Sequence, residues 1–243
     1  MMKYHLMFDI KLVKKAMYLI FFIVIILNFT VFNNTEFIMA VGAGENYIQT
    51  SLYEYAEVFL PIFFPITVIL LFSKDFNKGS LLFLKSLPFH YASMVILRFI
   101  RLFALFMLLY IPSLVNMCYT INRNLSTSVM IQSLDYTPDF FSPFSLCMQV
   151  IPQVFFLGSL ALLSIVVLKK MYYSIILLAG YYMFEYFTNG VFTGKFMLFI
   201  NHCSSFPDSI VMLNRMVFTL IGISCIVCVY FAIENQTGDG SLF

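Results

Sequence analysis

Six long apolar runs constrain this chain more than any other feature of its sequence. Each run is close to the roughly 20 residues that an α-helix needs to cross a hydrocarbon core of about 30 Å. They cover residues 16–32, 52–72, 102–119, 144–168, 171–192 and 216–233. Because 61% of the 243 residues are hydrophobic and 11% are charged, one soluble core would not hide this much apolar surface. The sequence therefore predicts a membrane protein.

The runs predict helices rather than strands. Strands of a membrane barrel alternate over about ten residues, whereas these runs are continuous. Backbone groups in lipid must also be hydrogen-bonded within their own segment. The predicted fold class is an all-α membrane protein with six transmembrane helices, in one transmembrane domain of residues 1–243. In the second run, Pro61 and Pro65 remove two backbone donors on one face, which predicts a kink.

Residues 1–15, ahead of the first run, have their own pattern. Leu6, Ile10, Val13 and Met17 recur at helical spacing, with lysines among them. This predicts an N-terminal interfacial amphipathic helix whose lysines meet lipid headgroups. A frayed tail that carries lysines for topology is the alternative, and the sequence leaves it open.

Basic residues divide unequally between the two predicted sides of the membrane. Lys and Arg are retained on the cytoplasmic side, while Asp and Glu contribute little to orientation. Eleven lie on one side: Lys3, Lys11, Lys14, Lys15, Lys74, Lys78, Lys85, Arg98, Arg101, Lys169 and Lys170. Arg123, Lys195 and Arg215 lie on the other, where seven of the twelve carboxylates also fall: Glu36, Glu45, Glu54, Glu57, Asp135, Asp139 and Asp208. The split predicts a multi-pass protein of the cell membrane with both termini in the cytoplasm.

Two runs carry polar residues at helical spacing. Ser174, Tyr181, Glu185 and Asn189 follow one side of the fifth run, and Ser145, Gln149 and Gln153 follow one side of the fourth. A carboxylate such as Glu185 costs about 2.5 to 3.5 kcal/mol in mid-membrane unless it faces protein or water. We therefore expect Glu185 to face the bundle interior. Two interpretations stay open: a translocation path lined by Tyr181, Glu185, Asn189, Gln149 and Gln153, or hydrogen bonding between helices.

The segment between the second and third runs is basic and ordered. Lys74, Lys78 and Lys85 are spaced by four and seven residues, which places them on one face of a helix. Leucines supply apolar contacts, Gly79 permits a bend or a close approach, and Pro88 ends the element. Retention of lysines on the inner side explains the charge, but it does not explain the order of the other residues.

That order resembles a known family. Asp75, Gly79, Ser80, Leu87 and Pro88, followed by Arg98 and Arg101, are similar to the cytoplasmic loop of type 2 ATP-binding-cassette (ABC) transporter permeases. In that family an acidic residue precedes Gly-Thr, a leucine-rich run and a Pro-Ile-Ser-Arg-like end. Here Ser80 stands in place of Thr, and the sequence after Pro88 departs from the pattern. The resemblance extends to the six-span plan and to an apolar outer loop, residues 190–215, predicted to contain short re-entrant segments.

The resemblance implies a function. Residues 74–88 would be the coupling element that docks on a cytosolic ABC ATPase, which binds ATP and Mg. The implied coupling residues are Lys74, Asp75, Lys78, Gly79, Ser80, Leu87 and Pro88. A second permease subunit, identical or different, would complete a dimeric exporter in the lipid bilayer. The apolar character of the chain favours a hydrophobic or amphipathic substrate such as a peptide, lipid or drug.

The chain itself is predicted not to be an enzyme and to hold no cofactor. A phosphate-binding loop requires Gly-x-x-x-x-Gly-Lys-Ser/Thr. The nearest segment, Gly190 to Phe196, is one residue short and lacks the Ser/Thr. The three histidines are dispersed, so no metal site is expected, and no nucleic-acid partner is expected either.

Two functions from other classes remain as alternatives. Cys225 and Cys228 stand one helical turn apart, the spacing of a thiol/quinone oxidoreductase of the membrane, although no charged partner lies near in sequence to activate a thiol. Packing by small residues explains the same spacing. The other alternative is a channel or immunity protein that works without an ATPase.

Overall fold

The computed structural model describes residues 54–76, 91–127, 142–188, 191–199 and 209–238, and every regular element in these ranges is helical. Five α-helices lie within them. These are α1 (Phe63–Phe72), α2 (Tyr91–Thr127), α3 (Pro143–Leu168), α4 (Met171–Thr188) and α5 (Ser209–Gly238). A π-helix (Glu54–Phe59) precedes α1, and a single 3-10 turn (Gly194–Phe196) follows α4. The all-α prediction is confirmed for the described part of the chain.

Helix α3 occupies the centre of the bundle and packs against each of the other four α-helices. In the most apolar stretch of α3, 67% of the residues are buried, compared with 39% in that of α2 and 28% in that of α5. The helix begins where the sequence provides a start signal, because Ser142 accepts a hydrogen bond from the Ser145 N–H and Pro143 occupies the first turn. It ends at Leu168, and the next residue, Lys169, has a left-handed φ of 54°.

Close approaches between helices depend on glycine and on aromatic rings. The Phe64 ring of α1 lies so close to Gly158 of α3 that a Cβ at that position would overlap it. The same ring contacts three phenylalanines of α2, with ring centroids 5.1 to 5.8 Å apart. Gly222 of α5 likewise lies against the Phe155 ring of α3. Small residues let helix backbones come together where lipid offers no hydrophobic drive for association.

Three of the described helices are long and apolar enough to cross a membrane: residues Tyr91–Thr120, Pro143–Leu168 and Ser209–Asn235. Large apolar side chains cover the outer faces of α4 and α5, as expected for a protein embedded in lipid. The run from Ala56 to Phe72 is a shorter apolar segment. The predicted first run, residues 16–32, and the interfacial helix of residues 1–15 lie outside the described residues, so the six-span plan stays a prediction.

The predicted kink in the second run is confirmed as an interruption of the helix. The π-helix ends at Phe59, a turn follows at residues 60–62, and α1 begins at Phe63. Pro61 and Pro65 have no N–H to donate, so the regular hydrogen-bond ladder does not continue through this turn. The carbonyl oxygens before it therefore depend on other partners.

Candidate functional site: a buried polar cluster

An ion pair joins the broken helix to the last helix. The Arg215 Nη2 of α5 donates to the Glu57 Oε1 of the π-helix, and both side chains are almost completely buried. The Arg215 guanidinium also lies over the Phe218 ring, 5.8 Å from its centroid. A buried charge without a partner is very costly, so each of these two residues requires the other.

Three consecutive carbonyl oxygens of the π-helix are each bound by a different helix. The Tyr110 hydroxyl of α2 donates to the Ala56 carbonyl, and the Tyr182 hydroxyl of α4 donates to the Val58 carbonyl. Between them, the Gln153 Nε2 of α3 donates to the Glu57 carbonyl at 2.9 Å. With Arg215 of α5, each of the four long helices α2 to α5 sends one polar side chain to residues 56–58. We call residues 56–58 and the four side chains that bind them, Tyr110, Gln153, Tyr182 and Arg215, the hub.

Residues 191–199, which the sequence predicts to lie on the outer side and which we call the outer segment, are attached to the hub and to α4 through the backbone of Leu198. Arg215 Nη1 donates to the Leu198 carbonyl at 3.1 Å, and the Leu198 N–H donates to Glu185 Oε2 at 3.1 Å. The Thr193 hydroxyl donates to the same Glu185 oxygen at 3.2 Å. Leu198 and Phe199 are buried, so this segment returns into the helix bundle after α4.

The predicted path residues have separate positions. The expectation that Glu185 faces the protein interior is confirmed, because only 1% of its surface is exposed. Gln153 belongs to the hub. Gln149 is buried one turn away and donates to Ser145 Oγ at 3.4 Å. Tyr181 is half-buried against the Phe156 ring, and no described hydrogen bond involves its hydroxyl. Asn189 lies outside the described residues. Whether these residues line a translocation path stays a prediction.

Two of the predicted coupling residues are described. Lys74 is exposed after the end of α1. Asp75 forms an ion pair with Arg98 of α2, and the Arg98 guanidinium also lies over the Phe72 ring, 5.2 Å from its centroid. The remaining members of the set, Lys78, Gly79, Ser80, Leu87 and Pro88, lie outside the described residues. The Asp75–Arg98 pair therefore joins the start of the predicted coupling element to the helix that follows it.

Sequence reasoning missed most of the hub. The sequence places Glu57 and Arg215 among the charges of the predicted outer side, and it gives no sign that both are buried and paired with each other, as the structure shows. One sequence signal was available: Glu57 lies four residues before Pro61, so its carbonyl loses the usual helical donor. No comparable signal singled out Tyr110 or Tyr182, because tyrosines are frequent throughout the chain.

In the described part of the chain, no group of three or more His, Cys, Asp or Glu residues is placed to hold a metal ion. Cys225 is buried and Cys228 is exposed, and both are free thiols. The polar groups of the hub instead bind backbone carbonyls and one another. These bonds hold the helices α2 to α5 against residues 56–58.

Comparisons with models of protein families, with curated proteins and with solved structures found no match. The fold and the site define the class: a helical membrane protein whose core contains a buried polar cluster around a broken helix.

Proposed function

We propose that this chain is the membrane-spanning permease subunit of an ATP-driven ABC exporter. In this proposal it has six spans, both termini in the cytoplasm and a position in the cell membrane. It pairs with a second permease subunit and with cytosolic ATPases that supply the ATP, the Mg and the hydrolysis. Its substrate is a hydrophobic or amphipathic molecule such as a peptide, lipid or drug.

The Asp75–Arg98 ion pair is the observation that carries the proposal. It joins the residue that opens the family-like pattern to α2, so a force applied to residues 74–88 would reach that helix directly. The Arg98 contact with the Phe72 ring adds α1 to the same junction. A coupling element needs such a rigid base, because a loosely attached loop would absorb motion of the ATPase instead of transmitting it.

Charge reversal tests the docking part of the proposal. Lys74 and Lys78 lie four residues apart on the predicted docking face, so Lys74→Glu with Lys78→Glu is expected to reduce the co-purified ATPase at least tenfold. Lys170→Glu is the matched control, because Lys170 is exposed and is predicted to lie on the same side of the membrane. Membrane insertion should be equal in all variants. Transport and stoichiometric ATPase binding that survive the double reversal would remove the coupling assignment.

Breaking the ion pair tests the transmission part. Asp75→Asn breaks the contact between residues 74–88 and α2 and not the contact with the ATPase, so the ATPase should stay bound. Transport per ATP hydrolysed should fall severalfold. The measurement is substrate efflux and ATP hydrolysis on the same reconstituted preparation.

The oxidoreductase alternative has its own test: a Cys228→Ser variant with full activity removes it.

A further inference from the structure

Residues 56–58 are held in place by hydrogen bonds from four other helices. These residues belong to a π-helix, a form that is rare and is frequent at functional positions. Three of their carbonyls and one of their side chains are bound by side chains from four other helices. Any relative movement of α2, α3, α4 or α5 must therefore stretch or break at least one of these bonds.

Some buried polar atoms in and beside the hub make no hydrogen bond. Gln153 Oε1 and Arg215 Nε are fully buried and make no hydrogen bond in the described arrangement. Glu185 Oε1, on the carboxylate that binds Leu198, is in the same condition. Buried polar atoms without a partner are uncommon and call for a specific explanation. A second arrangement, in which residues 56–58 no longer hold Gln153 and Arg215 and these side chains turn to other partners or to water, provides one.

We propose that the π-helix Glu54–Phe59 moves between a bound and a released state. We call this movable segment the gate. In the bound state described here, the hub holds the segment against α2 to α5. In the released state the segment leaves Tyr110, Gln153 and Tyr182, and the Glu57–Arg215 pair separates or exchanges partners. Arg215 also binds the Leu198 carbonyl, so release would change the surroundings of a residue that helps to hold the outer segment. This gate does not depend on the ATPase proposal.

Cysteine labelling of the purified full-length chain in detergent tests the gate. Ala56→Cys is the reporter, in a chain whose five native cysteines are replaced by alanine, because Ala56 is fully buried in the bound state. Ala161→Cys is the matched control, since Ala161 is equally buried in the centre of α3. Phe59→Cys, at an exposed position of the same π-helix, shows that the maleimide reaches the segment.

Tyr182→Phe and Tyr110→Phe each remove one hydroxyl that holds the segment. Each is expected to raise the maleimide labelling rate of Cys at position 56 about three- to tenfold, the range that follows from the net contribution of one hydrogen bond. The rate at position 161 should not change. Tyr181→Phe, at the neighbouring tyrosine without a described hydrogen bond, should leave both rates as they are.

Two results would overturn the gate. If positions 56 and 161 gain reactivity together, the label reports global unfolding and the hub is only a part of the core. If position 56 stays unreactive in both phenylalanine variants while Phe59→Cys reacts, the segment does not move. Neither result bears on ATPase binding, so failure of the gate and failure of the proposed function are distinguishable.

Discussion

At the scale of single residues, the Glu57–Arg215 pair sets the strictest requirement in the molecule. Removing one partner of a buried ion pair leaves the other charge without compensation, which costs about 3 to 5 kcal/mol. Arg215→Met should therefore lower the free energy of unfolding by about that amount. Glu57→Met combined with Arg215→Met removes both charges, so most of the loss should be recovered. Equilibrium unfolding in mixed detergent measures both variants.

A charged residue at the surface provides the control for this pair. Arg123 is exposed near the end of α2, so Arg123→Met should change the unfolding free energy by less than about 1 kcal/mol. A double Met variant that is as unstable as Arg215→Met alone would contradict the account, because it would show that the loss comes from packing or from the Leu198 carbonyl and not from the uncompensated charge.

At the scale of elements, two glycines of neighbouring helices test the packing. Gly158 of α3 lies against the Phe64 ring, whereas a Cβ on Gly180 of α4 would meet no atom within 4 Å. Gly158→Ala should destabilise the bundle by about 1 to 3 kcal/mol through overpacking. Gly180→Ala should be neutral or stabilising by up to about 1 kcal/mol, since alanine is the better helix former. Thermal unfolding of both variants compares them, and equal shifts would refute the close approach of α1 to α3.

Elements with local signals were predicted well. Run 144–168 corresponds to α3 and run 171–192 contains α4, so the two residues left between the runs, Lys169 and Lys170, form the connection. Pro61 and Pro65 correctly predicted a break in the second run. The partners of the freed carbonyls were not predictable, because Tyr110, Gln153 and Tyr182 are distant in sequence and are selected only when the helices pack.

At the scale of the whole molecule, α4 is one of the elements on which the six-span plan depends. Its 18 residues reach about 27 Å as an α-helix, slightly less than a hydrocarbon core of about 30 Å. It is not among the three helices that length and composition identify as candidate spans in the described part of the chain. Yet it packs against the central α3, and its Glu185 is buried close to the end that leads to the outer segment.

A pair of cysteines at the two ends of α4 settles its orientation. Lys170 and Val191 are both exposed, so Lys170→Cys and Val191→Cys are each accessible wherever water is present. If α4 spans the membrane as the basic residues predict, a membrane-impermeant maleimide added to intact cells labels the cysteine at 191 and reaches the one at 170 only after permeabilisation. Labelling of both, or of neither, in intact cells would place the two ends of α4 on one side. The six-span plan would then fail, because the hairpin and the outer segment must lie on opposite sides for it to hold.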